Sequence, residues 1–181
     1  VKDELEKMLE KDIIEPSTRA WGSPIVLVRK KDNTVRFCID YRKLNDVTKK
    51  DAYPLPRIED NLDALQGAKL FSTLDLASGY WQVQMAEQDK PKTAFTTKYG
   101  LYQFKVMPFG LCNAPGTFER LMETVLRGMQ WERAVLYLDD IIIFSKDIKQ
   151  HMERLEEVFQ RLKTANLTLK PSKCKFFQEK V

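Results

Sequence analysis

The sequence predicts an α+β fold in which an antiparallel sheet is backed by helices. Apolar segments of strand length alternate with segments of helical periodicity, and most successive strands are separated only by short turns. Short turns join antiparallel strands, whereas parallel strands need long crossovers, so we expect hairpins to dominate the sheet. With 43% hydrophobic and 31% charged residues, the composition is that of a globular protein.

The length, the first residues and the cysteines limit the possible organisation. A chain of 181 residues suits one domain or two closely packed lobes. The N-terminal Val-Lys-Asp-Glu has neither an initiator methionine nor a signal-peptide pattern, so we expect a piece of a longer protein. No apolar run approaches the roughly 20 residues of a membrane span, so we expect no membrane partner. Cys38, Cys112 and Cys174 form no C-x-x-C pair and indicate neither a disulfide framework nor a zinc site.

The charge is unevenly distributed along the chain. Residues 1–50 contain 12 Lys and Arg against 9 Asp and Glu, residues 51–145 contain 9 against 12, and residues 146–181 contain 9 against 5. An acidic centre between basic flanks suits a metal site inside a groove that binds a polyanion. The imbalance is mild and does not identify a function by itself.

The first elements are a helix and a hairpin. A helix before Pro16 is predicted by apolar residues at helical spacing, namely Leu5, Met8, Leu9 and Ile13. Segments 25–31 and 34–41 are predicted strands joined by a turn at Asp32-Asn33. Period-two geometry places Arg36, Asp40 and Arg42 opposite the apolar set. Such a basic face can bind a triphosphate, because guanidinium matches phosphate oxygens, but it can equally be a solvated outer face.

The middle of the chain predicts a helix and two strands. The helix runs from Pro56 to Gly67 with an apolar face of Ile58, Leu62 and Leu65. A strand follows over residues 69–76, then a turn, then a half-buried strand over residues 81–85. Asp75 lies where the first strand ends, which suits either an inward-facing ligand or a turn-capping aspartate.

The later elements are a hairpin, two helices and two short strands. Strands are predicted over residues 92–97 and 101–107, and again over residues 167–170 and 174–177. Asn113 can cap a helix whose core face is Phe118, Leu121, Met122, Val125 and Met129. Asp147 can cap a second helix whose packing face is Ile148, Met152, Leu155, Phe159 and Leu162. We expect His151, the only histidine, to lie beside that face on the surface, which excludes histidine-based nucleophilic or zinc chemistry.

Two adjacent aspartates interrupt the most apolar hairpin. Asp139 and Asp140 lie between predicted strands at residues 133–138 and 141–145. Like charges at a poorly solvated tip repel each other, and a divalent cation such as Mg²⁺ removes that conflict. The alternative is a solvated Asp-Asp turn. If the strand that ends at Asp75 is a neighbour, three carboxylates could hold two metal ions roughly 3.5–4 Å apart, an arrangement that also suits phosphatases, nucleases and cyclases.

Four segments in this order closely resemble the reverse transcriptase of gypsy-type LTR retrotransposons, which are related to retroviral enzymes. They are residues 35–45, 72–80, 107–115 and 137–140. The resemblance implies a right-hand polymerase fold with fingers mainly at 1–66 and part of 86–110, and palm mainly at 67–85 and 111–181. The thumb, the connection and the ribonuclease H region would be absent from this chain.

The resemblance also implies roles for individual residues. Two Mg²⁺ ions, for which Mn²⁺ can substitute, would be held by Asp75, Asp139 and Asp140, with the backbone carbonyl of Leu76 as an extra ligand. One ion would lower the pKa of the primer 3′-hydroxyl, and the other would stabilise the pyrophosphate. Contacts with the incoming nucleotide would come from Lys30 (or Lys31), Arg36, Arg42, Ala77, Ser78, Gly79, Tyr80 and Phe109. Tyr80 matches the steric gate that meets a ribose 2′-hydroxyl, and Phe109 stands where retroviral relatives commonly have Gln.

The implied activity is RNA-directed DNA polymerisation, the transfer of a nucleotide from a dNTP to a primer 3′-hydroxyl on an RNA or DNA template. The implied partners are template, primer, dNTPs and the rest of a Pol polyprotein, including thumb, connection, ribonuclease H and integrase. The implied location is a cytoplasmic virus-like particle with later nuclear entry. A truncated, non-catalytic nucleic-acid-binding fragment is the alternative. An RNA-dependent RNA polymerase is disfavoured by the bulky Tyr80.

Overall fold

Two sheets organise the chain, and each belongs to a different unit. The computed structural model describes residues 1–29, 33, 35–54, 56–137 and 140–180. The first unit comprises residues 1–51 and 80–114, and the second comprises residues 52–79 and 115–181. The α+β class and the dominance of antiparallel pairing are confirmed. Within the described part of the chain, no helix has both the length and the apolar character needed to cross a membrane.

The strands in chain order are β1 (Ile14–Pro16), β2 (Ser23–Arg29), β3 (Val35–Ile39), β4 (Leu70–Asp75), β5 (Phe95–Thr97), β6 (Gly100–Phe104), β7 (Ala134–Tyr137), β8 (Asp140–Ser145) and β9 (Lys175–Gln178). The helices are α1 (Lys2–Glu10), α2 (Arg42–Val47), α3 (Ile58–Ala64), α4 (Ala114–Val125) and α5 (Ile148–Thr164). Short 3₁₀ turns occupy Gly79–Gln82, Lys90–Thr93 and Pro171–Lys173.

The first unit is a five-stranded sheet covered by α1. Its strand order is β1-β6-β5-β2-β3, and only the β2–β5 pair is parallel. Leu5 and Met8 of α1 pack against Phe95 and Phe104 of the sheet, as the predicted helix requires. The helix ends earlier than predicted because Asp12 adopts a left-handed conformation (φ 57°), after which the chain enters β1, a strand that the sequence analysis did not predict.

The predicted hairpin near the N-terminus is confirmed, and the predicted strand at 81–85 is wrong. β2 and β3 pair antiparallel from Ile25 opposite Ile39 to Arg29 opposite Val35. Residues 79–82 instead form a 3₁₀ turn that continues into a hydrogen bond from Val83 N to Tyr80 O (3.1 Å). The period-two alternation of that segment therefore reflects a half-buried turn. Only Gln84 forms a bridge, with Val106.

The second unit is a four-stranded antiparallel sheet with the order β7-β8-β4-β9. Its central strands contribute fully buried side chains to the core, namely Leu74, Ile141 and Ile143. The predicted hairpin formed by β7 and β8 is confirmed, with Tyr137 opposite Asp140. Of the two predicted C-terminal strands, β9 forms, whereas the segment at 167–170 makes only a bridge between Leu169 and Leu76.

The predicted packing face of α5 is partly wrong, and so is the surface position of His151. Ile148, Met152 and Phe159 are exposed. The buried stripe consists of His151, Leu155, Val158 and Leu162. These positions have helical spacing, as the predicted set does. A prediction based on hydrophobicity does not select a histidine as a core residue. The predicted cap is confirmed: Asp147 accepts a hydrogen bond from Gln150 N (2.9 Å).

The predicted apolar face of α3 is also partly wrong, since Leu65 is half-buried but the other two residues are exposed. Ile58 and Leu62 are 58% and 59% exposed, and the buried residue is Asn61. Its Nδ2 donates to Leu136 O (3.0 Å) of β7, which is an edge strand. The helix therefore packs through a polar side chain that satisfies a carbonyl on the sheet.

Candidate active site

The centre of the candidate site is a pair of aspartates on adjacent strands. Asp75 ends β4 and Asp140 begins β8, and the two are directly opposite in the antiparallel register. Side chains of directly opposed residues have Cβ atoms about 4.5–5.5 Å apart. The structure thus brings together the two carboxylates that the sequence analysis placed on separate strands. Asp139 lies outside the described residues.

The segment before β9 surrounds the end of β4. Lys170 N donates to Asp75 O (2.8 Å), and Lys173 Nζ lies 2.9 Å from Asp75 Oδ2. The Asp75 side chain is 20% exposed, so it faces both this ammonium group and solvent. Lys173 could not be predicted from the sequence, because an exposed lysine carries no pattern that distinguishes it from ordinary surface residues.

The electrostatics of the aspartate pair suit a hard cation. Partial desolvation raises the pKa of the Asp140 carboxyl, and the nearby charge of Asp75 raises it further, while Lys173 opposes both effects. A divalent ion with oxygen ligands would stabilise the ionised form of Asp140 beside the neighbouring carboxylate. The donor set therefore fits Mg²⁺. Leu76, whose carbonyl was predicted as a further ligand, is buried and bridges Leu169, and its role stays a prediction.

The turn after Asp75 is tightly packed. Ala77 N donates to Thr168 O (2.9 Å), so the N–H predicted to meet phosphate already has a partner. Ser78 is exposed and adopts a left-handed conformation (φ 51°). Gly79 is buried against Phe118, and a Cβ atom at this position would lie 3.0 Å from Phe118 Cζ. The glycine is required here by close packing.

Within the first unit, Tyr80 and Phe109 form an aromatic cluster. Their ring centroids are 5.0 Å apart, and the Trp81 ring lies 6.0 Å from that of Phe109. Asn45 fixes the loop after Phe109: its Nδ2 donates to Gly110 O (2.8 Å) and its Oδ1 accepts from Cys112 N (2.9 Å). Tyr80 and Phe109 were predicted as site residues from the sequence. The contacts of Asn45 with the loop after Phe109 were not predicted.

The basic residues predicted to contact the nucleotide lie in different local structures. Arg36 is exposed on β3. Arg42 is the first residue of α2, so the strand alternation does not reach it. Its guanidinium group binds the Asp40 carboxylate through three hydrogen bonds, Nε–Oδ1 at 2.9 Å, Nε–Oδ2 at 3.1 Å and Nη2–Oδ2 at 2.6 Å, and these lower the pKa of Asp40 to about 2. Lys30 and Lys31 lie outside the described residues.

Comparison with known proteins gives one consistent result. Residues 28–181 match the family described as "Reverse transcriptase (RNA-dependent DNA polymerase)". The chain is 42% identical to the retrovirus-related Pol polyprotein from transposon 297 of Drosophila melanogaster, covering 99% of this chain and 17% of that protein. It is 37% identical to the transposon Tf2-3 polyprotein of Schizosaccharomyces pombe, covering 100% of this chain and 14% of that protein.

Solved structures give the same result. The foamy viral protease-reverse transcriptase in complex with an RNA/DNA hybrid superposes with a TM-score of 0.90 at 25% identity, over 98% of this chain and 24% of that one. The native prototype foamy virus protein gives a TM-score of 0.86 at 27% identity, again over 98% of this chain and 24% of that one. The chain spans less than a fifth of the length of the two curated relatives described above.

Proposed function

The chain belongs to the reverse transcriptase family, and we propose that it forms the polymerising centre of a longer RNA-directed DNA polymerase. The principal structural support is the register of the second sheet, which pairs Asp75 with Asp140. Homologous Pol polyproteins from transposons support an LTR-retrotransposon origin. The gypsy-type branch stays a prediction, as does the division into fingers mainly at 1–66 and part of 86–110 and palm mainly at 67–85 and 111–181.

Dependence on a divalent metal is implied by the family, and we propose that two Mg²⁺ ions are held by Asp75, Asp139 and Asp140. The Leu76 carbonyl completes the proposed ligand set. Such ions, when bound, lower the pKa of an attacking hydroxyl and neutralise charge that builds on a leaving pyrophosphate. Hard carboxylate ligands on two hydrogen-bonded strands are positioned before substrate arrives, which limits the reorganisation needed for catalysis.

One of the chain's own side chains, Lys173, occupies part of the proposed cation site. Lys173 Nζ donates to Asp75 Oδ2 in the structure, and an ammonium group and a divalent cation compete for the same carboxylate oxygen. Binding of the cation therefore requires Lys173 to move away from Asp75 or to share its carboxylate.

For the incoming nucleotide we propose that Lys30 and Arg36 bind the triphosphate. Arg42 already has a carboxylate partner in Asp40, so any triphosphate contact from Arg42 must compete with that ion pair. Tyr80 is the proposed gate against ribonucleotides, and Phe109, whose ring centroid lies 5.0 Å from that of Tyr80, supports its position. A bulky ring discriminates by steric exclusion, which does not depend on the phenolic hydroxyl.

The proposed partners follow from the chemistry of the relatives. The foamy viral structure with a TM-score of 0.90 is described as a complex with an RNA/DNA hybrid. We propose that this chain takes an RNA or DNA template with a DNA primer, and that it works within a Pol polyprotein.

Primer extension tests the proposed metal ligands. Asp75→Asn and Asp139→Asn, introduced into the longer Pol segment, are expected to lower extension of a DNA primer on an RNA template by about a thousandfold or more, since each removes a charge that stabilises the transition state. The matched control is Asp147→Asn, which makes the same chemical change at the cap of α5 and keeps a capping oxygen. Undiminished extension by either site variant, with a normal unfolding transition, would reject the assignment.

A second candidate function is nucleic-acid binding without polymerisation by this chain alone. It is favoured by the small share of the curated relatives that the chain spans. Duplex binding and primer extension, measured on the 181-residue chain and on a longer Pol segment, separate the two. Binding without extension by the short chain, with extension by the longer one, would show that this chain holds the catalytic centre but needs further duplex contacts.

A further inference from the structure

His151 is a fully buried polar residue that the polymerase mechanism does not use. It lies on α5 with 0% of its surface exposed. Both ring nitrogens have serine partners, and the serines belong to different strands. Nε2 lies 2.7 Å from Ser72 Oγ of β4, and Nδ1 lies 2.8 Å from Ser145 Oγ of β8.

The hydrogen bonds around the two serines fix the direction of donation. Ser145 Oγ donates its only proton to Asp147 O (3.0 Å), so it must accept from Nδ1–H of His151. Ser72 Oγ accepts from Phe177 N (3.1 Å) and can donate its proton to Nε2, which is the acceptor nitrogen of a neutral ring protonated at Nδ1. The network therefore fits the neutral Nδ1-protonated tautomer. Burial, reinforced by the charge of Arg154, lowers the pKa of the imidazole and favours the same neutral form.

The serines are close in sequence to the aspartates. Ser72 precedes Asp75 by three residues on β4, and Ser145 follows Asp140 by five residues on β8. The third strand is reached through Phe177 of β9, whose backbone N–H donates to Ser72 and whose ring lies 5.1 Å from that of His151. One side chain thus joins α5 to all the strands that surround Asp75.

We propose that His151 is a positioning residue, which holds β4 and β8 in the register that sets Asp75 against Asp140. The proposal rests on the metal site proposed above. A carboxylate pair must be held within roughly 0.5 Å to bind a cation well, and backbone pairing between two strands permits small sliding and twisting motions. A rigid ring bonded to both strands opposes these motions. The ring nitrogens of His151 are bonded to Ser72 and Ser145, so its effect on the aspartate pair is transmitted through these serines.

Direct metal binding tests the proposal without relying on activity. Mn²⁺ binding to the full 181-residue chain is measured by electron paramagnetic resonance for the wild type, His151→Phe and Val158→Ala. Val158 lies on the same buried stripe of α5 and is fully buried, but its side chain has no polar atom to bond a strand. His151→Phe is expected to weaken Mn²⁺ binding by about tenfold, the lower end of the range for outer-shell changes, and Val158→Ala by less than about twofold. Equal Mn²⁺ affinity in the wild type and His151→Phe would overturn the proposal.

Conservative variants keep the test usable if His151→Phe does not fold. His151→Asn retains a donor near the Nδ1 position, and His151→Gln retains an acceptor near the Nε2 position, so each keeps one strand contact. We expect affinities between those of the wild type and a variant that lacks both contacts. Nitrogen chemical shifts of the wild-type ring give a readout independent of any variant. Shifts of two hydrogen-bonded ring nitrogens at pH 7 support the proposal, and the shifts of a ring without those two bonds overturn it.

Asp75→Asn in the same binding assay separates this proposal from the one on which it rests. Unchanged Mn²⁺ affinity in Asp75→Asn would reject the metal site itself. Weaker binding in Asp75→Asn together with unchanged binding in His151→Phe would retain the metal site and reject only the positioning role.

Discussion

At the scale of single residues, Lys173 makes the most direct contact with a proposed metal ligand. Its Nζ lies 2.9 Å from Asp75 Oδ2, and the side chain is more than half exposed. Lys173→Met removes both the competition for that oxygen and a positive charge that repels a divalent ion. We expect the Mg²⁺ concentration for half-maximal primer extension to fall roughly three- to tenfold at low ionic strength, with a smaller effect at high salt.

The matched control for this prediction is Lys175→Met. It removes the same charge from the neighbouring strand β9, whose residue Lys175 is opposite Thr73 and not opposite an acidic residue. A Mg²⁺ requirement that shifts equally in both variants would show a general charge effect. A requirement that rises in Lys173→Met would contradict competition at Asp75.

Tyr80 permits a test of nucleotide selection. Tyr80→Val removes the ring while leaving the proposed phosphate and metal contacts in place, so incorporation of ribonucleotides relative to deoxyribonucleotides is expected to rise by roughly tenfold or more. Tyr80→Phe keeps the ring and its contact with Phe109 and should leave selection unchanged. The measurement is the ratio of kcat/KM for the two sugar types. An unchanged ratio in Tyr80→Val would remove Tyr80 from the gate.

Asp75 and Asp140 could be predicted from the sequence because each interrupts or ends an apolar strand. A charge at such a position is costly unless it has a partner. It could not reveal Lys173 or His151 in the same way. Lys173 becomes notable only through the tertiary contact with Asp75, and His151 only through two serines that are distant in sequence. The predicted strand-face position of Arg42 is wrong for a local reason, since α2 begins at this residue and the strand alternation stops before it.

At the scale of elements, the junction between β4 and the following 3₁₀ turn depends on Gly79. The space beside its Cα is filled by the ring of Phe118 from α4, which would lie 3.0 Å from an added Cβ atom. Gly79→Ala must therefore shift the Phe118 ring or the turn by a few tenths of an ångström, and we expect a loss of about 1–3 kcal/mol in the free energy of unfolding, measured with urea.

A second substitution identifies the cause of that loss. Phe118→Leu in the Gly79→Ala background shortens the side chain that meets the added methyl group. The double variant is expected to lose less than the sum of the two single losses, because the clash is shared. Additive losses would show that Gly79 is needed for a reason other than contact with Phe118.

The sequence predicted elements well where the signal is local. The pairs β2–β3 and β7–β8 are confirmed because alternating or continuous apolar runs separated by a short turn require little tertiary information. Prediction failed where burial is decided by a distant partner. The exposed Ile58 and Leu62 of α3 show this most clearly, since Asn61 packs inward to bond a carbonyl of β7.

At the scale of the whole molecule, the organisation into two interleaved units was not predictable from local patterns. The chain leaves the first unit after residue 51, returns to it at residue 80, and leaves again after residue 114. The parallel pairing of β2 with β5 joins segments about 70 residues apart, with Ser23 opposite Phe95. Periodicity identifies strands but contains no information about which strands pair over such separations, so only the resemblance to a known family supplied the architecture.

Two buried groups of the second unit give its stability opposite pH dependences. Glu119 of α4 is 1% exposed, and its Oε1 has no hydrogen-bond partner among the described residues. Burial, reinforced by the charge of Glu123, raises the pKa of Glu119 to about 7. His151 is displaced in the other direction, since burial and Arg154 lower its pKa. Glu119 therefore stays protonated to a higher pH than a solvated glutamate, and His151 stays neutral to a lower pH than a solvated histidine.

The sign of each contribution follows from which state binds more protons. Between about pH 4.5 and 7 the unfolded chain loses the Glu119 proton that the folded chain keeps, so stability is lost as the pH rises. Below about pH 6.5 the unfolded chain binds a proton at His151 that the folded chain refuses, so stability is lost as the pH falls. Glu119→Gln should therefore become more stabilising relative to the wild type, by about 1–3 kcal/mol, between pH 4.5 and 8.

His151→Phe should be most destabilising above pH 6.5 and less so at pH 5. Urea unfolding across this range gives, for each variant, the difference in the free energy of unfolding from the wild type as a function of pH. Two differences that change in the same direction with pH would contradict the opposite pKa shifts of Glu119 and His151.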